Sequence, residues 1–245
     1  MKKHIKYSKK QSKDMQNYNF KARKQLFKLE GWKKKLLVPF LNKYLLNRFT
    51  TISKPRLSKK HWAIIKKYLP THLLTVLDIG AGRGYFSFKF VKENYCVTAI
   101  ELNKRRFGII TALRDIFNYR LLEVRDSSID LKAARRLLPH DIVLLISVYH
   151  QMLSYQKEEA QQILEALWSK TRTCMFFAMA DGRTTNPDYK SHLLFLGTEP
   201  EIIRKNITAM LSRLKHSKVT YLGDLPYFGD KSPRMFFKIE RCNND

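Results

Sequence analysis

Three glycines and two acids carry the most chemical information in this sequence. The run Val76-Leu77-Asp78-Ile79-Gly80-Ala81-Gly82-Arg83-Gly84-Tyr85-Phe86 sets an aspartate ahead of a Gly-x-Gly-x-Gly spacing. Glycines so spaced let a backbone turn sharply and approach a ligand without Cβ clashes. A helix beginning just beyond them offers free N–H groups and the positive end of its dipole. A second carboxylate, Glu101 in Ala99-Ile100-Glu101-Leu102-Asn103, ends an apolar run, where it can accept the protons of both ribose hydroxyls. Farther along, Tyr149 and His150 follow the most apolar run of the chain, in Ser147-Val148-Tyr149-His150-Gln151-Met152. The His150 imidazole titrates near neutral pH and suits a proton acceptor or an orienting group, and Tyr149 can orient a bound molecule or line a pocket. Asp181 and Arg183, in Met179-Ala180-Asp181-Gly182-Arg183, complete the set, the arginine suited to a phosphate or carboxylate.

Several chemistries are set aside by what is missing. A dinucleotide fingerprint requires G-x-G-x-x-G, and Tyr85 stands where its third glycine would fall. A phosphate-binding P-loop requires Gly-Lys-Ser/Thr, which this turn lacks. Cys96, Cys174 and Cys242 form no Cys-x-x-Cys pair, which argues against a metal site or a disulfide framework. Reduced thiols and a cytoplasmic setting are the simpler expectation.

The elements that would position these residues are legible in the hydrophobic pattern. Short apolar runs over 73–79, 96–102, 119–124, 142–148 and 174–180 read as buried strands. They alternate with helical patterns over 85–94, 104–118, 131–138, 158–169 and 200–214. Two further strands, over 219–223 and 235–239, are joined without a helix and read as an antiparallel hairpin at the sheet edge. A helix over 57–69 precedes the first strand, and Ser53 to Pro55 reads as a joint. Residues 184–198 and 226–233 read as long loops of the kind that cover substrates. Asp126 or Asp130 is expected to cap the helix over 131–138. Alternating strands and helices imply a parallel sheet with right-handed crossovers.

The Asp-x-Gly-x-Gly-x-Gly arrangement of residues 78–84 closely resembles motif I of class I S-adenosylmethionine-dependent methyltransferases. The resemblance covers residues 73–183 with motifs and extends to 240 in element order. It implies a seven-stranded, mostly parallel Rossmann-like sheet with helices on both faces and an antiparallel last strand. It also implies S-adenosyl-L-methionine as cofactor, with Asp78, Gly80, Ala81, Gly82, Gly84, Glu101, Leu102, Asp126, Ser127 and Ser147 around it. The turn would wrap the methionine portion, Glu101 would take the ribose, and Asp126 would lie near the adenine amino group. The end of the fourth strand would face the transferred methyl, giving Tyr149 and His150 catalytic positions and Asp181 and Arg183 substrate-binding ones. Enzymes of this class that methylate base amines usually carry Asn/Asp-Pro-Pro-Tyr/Phe at this strand end, and that motif is missing. Cys174 also lacks the Pro-Cys setting of C5 pyrimidine methylation, so transfer to oxygen, or another transfer needing only proximity and a weak base, fits better.

Charge speaks to partners. The chain carries 47 Lys and Arg against 21 Asp and Glu, a net charge of +26. Residues 1–70 hold 21 of the basic residues against only Asp14 and Glu30. Residues 1–19 are too poor in apolar side chains to repay the entropy of ordering. Residues 20–50 mix Phe, Leu and Trp with Lys and Arg at helical spacing, a basic amphipathic pattern that Pro39 breaks or restarts, and it reads either as a helical pair packing on the main domain or as a contact for an acidic substrate or membrane. The expected organisation is a basic arm over 1–55 and a cofactor-binding domain over 56–245. Residues 1–50 would engage a polyanionic acceptor or an anionic membrane surface, placing the protein in the cytoplasm or at the inner membrane face. The apolar runs are too short for a transmembrane segment. Three functions remain open: methyl transfer to an oxygen of an anionic acceptor, an envelope sugar or lipid or a small metabolite; tRNA or rRNA methylation, with the arm on the phosphate backbone; or binding without catalysis.

Overall fold

The computed structural model describes residues 55–69, 74–225 and 233–242. The basic arm, most of the 53–55 joint and most of the 226–233 loop lie outside the described residues.

Seven strands form one sheet: β1 (Thr75–Ile79), β2 (Cys96–Ile100), β3 (Leu122–Arg125), β4 (His140–Ile146), β5 (Thr171–Met179), β6 (Ser217–Leu225) and β7 (Arg234–Arg241). Their spatial order is β3-β2-β1-β4-β5-β7-β6. β1 to β5 run parallel, and β7 lies antiparallel between β5 and β6. The fold is therefore the expected α/β sheet with its reversed final strand. The hairpin puts β6 at the edge and β7 inside.

The helices are α1 (Pro55–Lys67), α2 (Tyr85–Lys92), α3 (Lys104–Phe117), α4 (Leu131–Arg136), α5 (Tyr149–Tyr155), α6 (Ala160–Ser169), α7 (Pro187–Leu193) and α8 (Pro200–Leu211). On one face of the sheet, Leu77, Val143, Leu145, Met175, Phe177 and Phe237 share a buried cluster with Met152, Ile163, Leu167, Ile203 and Ile207. On the other, Phe176 stacks on Phe236 at 6.0 Å, and His61 of α1 meets Phe236 edge-on at 5.5 Å. Trp62 of α1 meets Phe90 of α2 at 5.1 Å. Burial on both faces is why the central strands read as continuous apolar runs.

Register between the central strands is pinned by a polar contact at their starts. Asp141 Oδ2 accepts hydrogen bonds from Thr75 N at 2.9 Å and Thr75 Oγ1 at 2.8 Å. Two helices fall where the sequence pattern reads none. The fourth strand stops at Ile146 rather than 148, because Ser147 takes a left-handed φ of 61° and turns the chain into α5. The stretch 184–198, expected as a loop, contains α7 and a 3-10 turn over Leu194–Leu196. There Asn186 caps the helix by accepting from Asp188 N at 2.9 Å, and Pro187 occupies its first turn. Asn-Pro reads equally well as a turn, so the cap is hidden in the sequence.

Candidate active site

The strand order reverses between β1 and β4, and in open α/β sheets this switch point opens a crevice at the carboxyl ends of the strands. The glycine turn lies there. Gly80, Gly82 and Gly84 all have left-handed φ, between 64° and 80°. At Gly80 an added Cβ would stand 2.5 Å from Val148 Cγ2, so the turn and the end of β4 leave no room for a side chain. Gly82 is different: a Cβ there would meet only Gly80 O, at 4.0 Å, so this stretch of backbone faces open space.

Glu101 ties the turn to its surroundings. Its Oε2 accepts from Gly82 N at 2.7 Å and its Oε1 from Asn103 N at 2.8 Å, and the residue is 5% exposed. Asn103 in turn caps α3 by accepting from Arg106 N at 3.1 Å. One carboxylate thereby clips the glycine turn to the start of α3. Each of its oxygens keeps a second acceptor position. Asp78 is buried close by, with Ser87 Oγ donating to its Oδ2 at 2.5 Å. Burial pushes the Asp78 pKa up to about 6; the Ser87 hydrogen bonds oppose the rise and the Glu101 charge adds to it. Ala81 completes the turn, its N–H donating to Ile100 O at 3.1 Å.

The other residues singled out in the sequence are placed as follows. Leu102 is largely exposed. Asp126 and Ser127 are exposed beyond β3. Asp126 pairs with Lys104 Nζ, and Ser127 Oγ donates to Ser128 O at 2.8 Å. Asp130, rather than Asp126, caps α4, accepting from Ala133 N at 2.7 Å. Ser147 donates its N–H to Ala178 O at 2.7 Å at the end of β4. Tyr149 is core: it is 1% exposed, packs on Phe177 at 5.5 Å, and burial pushes its phenol pKa upward. His150 is also buried, its Nδ1 accepting from Ala180 N at 3.4 Å and its ring edge-on to Tyr189 at 4.8 Å.

Asp181 and Arg183 lie against each other. Asp181 Oδ1 accepts from Arg183 N and Nε, both at 3.0 Å, and its Oδ2 from Arg183 Nη2 at 2.7 Å. Arg183 also reaches Asp224 Oδ2 at 3.4 Å. The hydrogen bond to Asp181 raises the arginine pKa. Cys174 is buried inside β5, and burial pushes its thiol up to about 12.

The structure thus gathers Asp78, Gly80, Ala81, Gly82, Gly84 and Glu101 into one cradle and brings Ser147 beside it through Val148. Ser87, Asn103 and Val148 shape that cradle and were not singled out in the sequence. Ser87 stands three residues past Gly84, one turn into α2, a spacing that would have shown it facing back toward Asp78. Nothing in the sequence marks Val148.

This is the fold of class I, Rossmann-like methyltransferases. Among solved structures, the bifunctional kinase-methyltransferase WbdD is similar with a TM-score of 0.60 and 16% identity over 76% of this chain. The chain spans only 38% of WbdD's length. Magnesium protoporphyrin IX methyltransferase (ChlM) from Synechocystis PCC 6803, solved with bound SAM, is similar with a TM-score of 0.53 and 16% identity, over 85% of this chain and 96% of that one. Precorrin-6y C5,15-methyltransferase from Geobacter metallireducens GS-15 gives 0.51 and 14%, over 79% and 95%. At these identities the likeness is one of fold. No protein-family model matches the sequence, and no curated protein matches it. Among the described residues no helix is long and apolar enough to cross a membrane.

Proposed function

We propose that this chain is an S-adenosylmethionine-dependent methyltransferase that delivers its methyl group to an oxygen of an anionic acceptor. The observation that carries this reading is the Glu101 carboxylate, fixed by Gly82 N–H and Asn103 N–H beside a glycine turn whose backbone faces open space. Its two remaining acceptor positions fit the adjacent hydroxyls of a ribose. Gly80, Ala81, Gly82 and Gly84 would hold the methionine portion, with Asp78 supporting the turn from below through Ser87. Leu102, Asp126, Ser127 and Ser147 would border the adenosyl portion. The cofactor, when bound, supplies a methyl group already activated on a sulfonium. Two acids beside the turn favour that positive charge. ChlM, one of the similar structures, was solved both with SAM and with SAH.

The side chains near β4 and β5 favour an acceptor that needs no base. His150 is buried, with Ala180 N–H directed at its Nδ1 and its ring edge-on to Tyr189, so it is packed into the protein and turned away from an acceptor. His150 is then a positioning residue that holds α5 against β5 and α7. Asp181 is fully buried and held by Arg183 through three hydrogen bonds. An oxygen that is already anionic requires only placement in line with the methyl group. The raised Cys174 thiol is no nucleophile, which removes covalent pyrimidine chemistry. Two similar structures are named for small-molecule acceptors, magnesium protoporphyrin IX and precorrin-6y, which favours a small molecule over a nucleic acid here; an envelope sugar or lipid stays within the reading on charge alone.

A second reading, RNA methylation, is favoured by one observation, the basic excess of residues 1–70. In either reading the arm over 1–55 serves a polyanionic acceptor or an anionic membrane face, and the domain over 56–245 carries the chemistry. Radiolabelled methyl transfer from the cofactor into fractionated cell extract, with and without nuclease, separates them. Label in a nuclease-resistant lipid, sugar or small-molecule fraction is expected. Label lost to nuclease would replace the first reading with the second. A folded protein that neither binds S-adenosylhomocysteine nor transfers label would have kept the fold without the chemistry.

A further inference from the structure

Three arginines that the cradle does not use lie in the glycine turn or on the helix clipped to it. Arg83 lies inside the turn and is half-buried; Arg105 and Arg106 are exposed on the first turn of α3. The Glu101 clip joins Gly82 to Asn103 and so sets the two segments side by side. A Cβ on Gly84 would stand 3.2 Å from Ile110 Cγ1, so the turn also packs on α3 one helical turn beyond Arg106. Among the described residues, no carboxylate pairs with Arg83, Arg105 or Arg106; the neighbouring Asp126 is taken by Lys104.

This arrangement is electrostatically unfavourable as it stands. The first turn of α3 contains no acid and three cations, Lys104, Arg105 and Arg106, at the positive end of the helix dipole. Burial lowers the Arg83 pKa, and the charges of Arg105 and Arg106 lower it further. The sulfonium of the cofactor gains nothing from such a rim; its carboxylate is one anion that could, and the S-adenosylhomocysteine titration below separates it from an acceptor phosphate. An anion relieves all of these repulsions at once, and fork-shaped donors match the oxygens of a phosphate.

We propose that Arg83, Arg105 and Arg106 form a phosphate-binding subsite at the rim of the cleft, which anchors a phosphate group of the methyl acceptor. This rests on the methyltransferase reading above. The patch is compact, confined to one loop and one helical turn. It therefore fits a single phosphate or pyrophosphate rather than the long phosphate track of an RNA.

The test is calorimetric titration of the full chain with inorganic pyrophosphate, with glucose 1-phosphate, with vesicles containing phosphatidic acid, and with a single-stranded RNA oligonucleotide. S-Adenosylhomocysteine is titrated alongside. Saturable pyrophosphate binding is expected, weakened about tenfold or more in Arg105→Gln/Arg106→Gln, with S-adenosylhomocysteine affinity unchanged. Preference for glucose 1-phosphate would indicate a soluble acceptor, and preference for the vesicles a lipid-linked one. Three results would overturn the proposal: pyrophosphate affinity equal in wild type and double variant, RNA binding alone, or loss of S-adenosylhomocysteine affinity in the variant, which would assign the arginines to the cofactor. Failure of the wild type to bind S-adenosylhomocysteine while binding pyrophosphate would instead strike the methyltransferase reading and leave the anion subsite standing.

Discussion

Glu101→Gln separates a ligand-binding carboxylate from a merely structural one. In the native chain the two carboxylate oxygens accept Gly82 N–H and Asn103 N–H and keep two acceptor positions. Glutamine keeps one of the two oxygens, so about one hydroxyl-to-carboxylate hydrogen bond is lost, about 1.5–3 kcal/mol or roughly a 10- to 10²-fold change in Kd. Glutamine replaces one oxygen by an NH₂ group, which turns two donors toward a backbone N–H. That N–H loses its acceptor, and stability falls by about 1–3 kcal/mol. The assay is calorimetric titration with S-adenosylhomocysteine, run beside circular dichroism and urea unfolding so that binding is compared in folded protein. Weakening by about one to two orders of magnitude is expected. A folded variant with wild-type affinity would refute the ribose assignment, leaving Glu101 as a clip between the turn and α3.

Three further outcomes follow from the same geometry. Gly80→Ala meets both a φ of 64° and a 2.5 Å approach to Val148 Cγ2, and should cost at least about 2 kcal/mol in urea melts, partly recovered by adding Val148→Ala; a change below about 0.5 kcal/mol would contradict the close approach. Asp78 holds its proton more tightly folded than unfolded, its pKa rising from 3.8 to about 6, so its contribution is fully present below pH 3.8 and is lost as pH rises through 6, about 3 kcal/mol in all. Asp78→Asn should flatten that window of the pH–stability curve, and an unchanged slope would remove the burial argument. Native protein treated with a disulfide reagent at pH 8 should react at exposed Cys242 while buried Cys174 reacts only after denaturation; mass-spectrometric labelling of native Cys174 would show the opposite.

Most of the sheet was legible because its strands are buried on both faces and bounded by turn residues, as with Thr75–Ile79 between the chain's preceding helix and the glycines. The reversed β7 was legible because no helical pattern links it to β6. What escaped was decided by tertiary contacts. Helix α5 begins where Ser147 adopts a left-handed φ, and a serine does not announce that conformation as a glycine would. Tyr149 and His150 look like a chemical pair in the sequence, yet the helix they start turns both into the protein. Asp181 and Arg183 are two residues apart, and only the folded chain shows that each occupies the other. The glycine turn was legible because it is local, three left-handed glycines and one aspartate within seven residues, whereas Val148, which closes on Gly80, was not. Its closure by Glu101 required β2 to lie beside β1 in the observed register.

The cradle's central assignment is tested most directly by a crystal structure of the protein grown with S-adenosylhomocysteine. Ligand density is expected between the backbone of Gly82 and the Glu101 carboxylate, with both ribose hydroxyls within hydrogen-bond distance of its oxygens. A folded protein with that cleft filled by its own side chains, or with the ligand seated elsewhere, would contradict it.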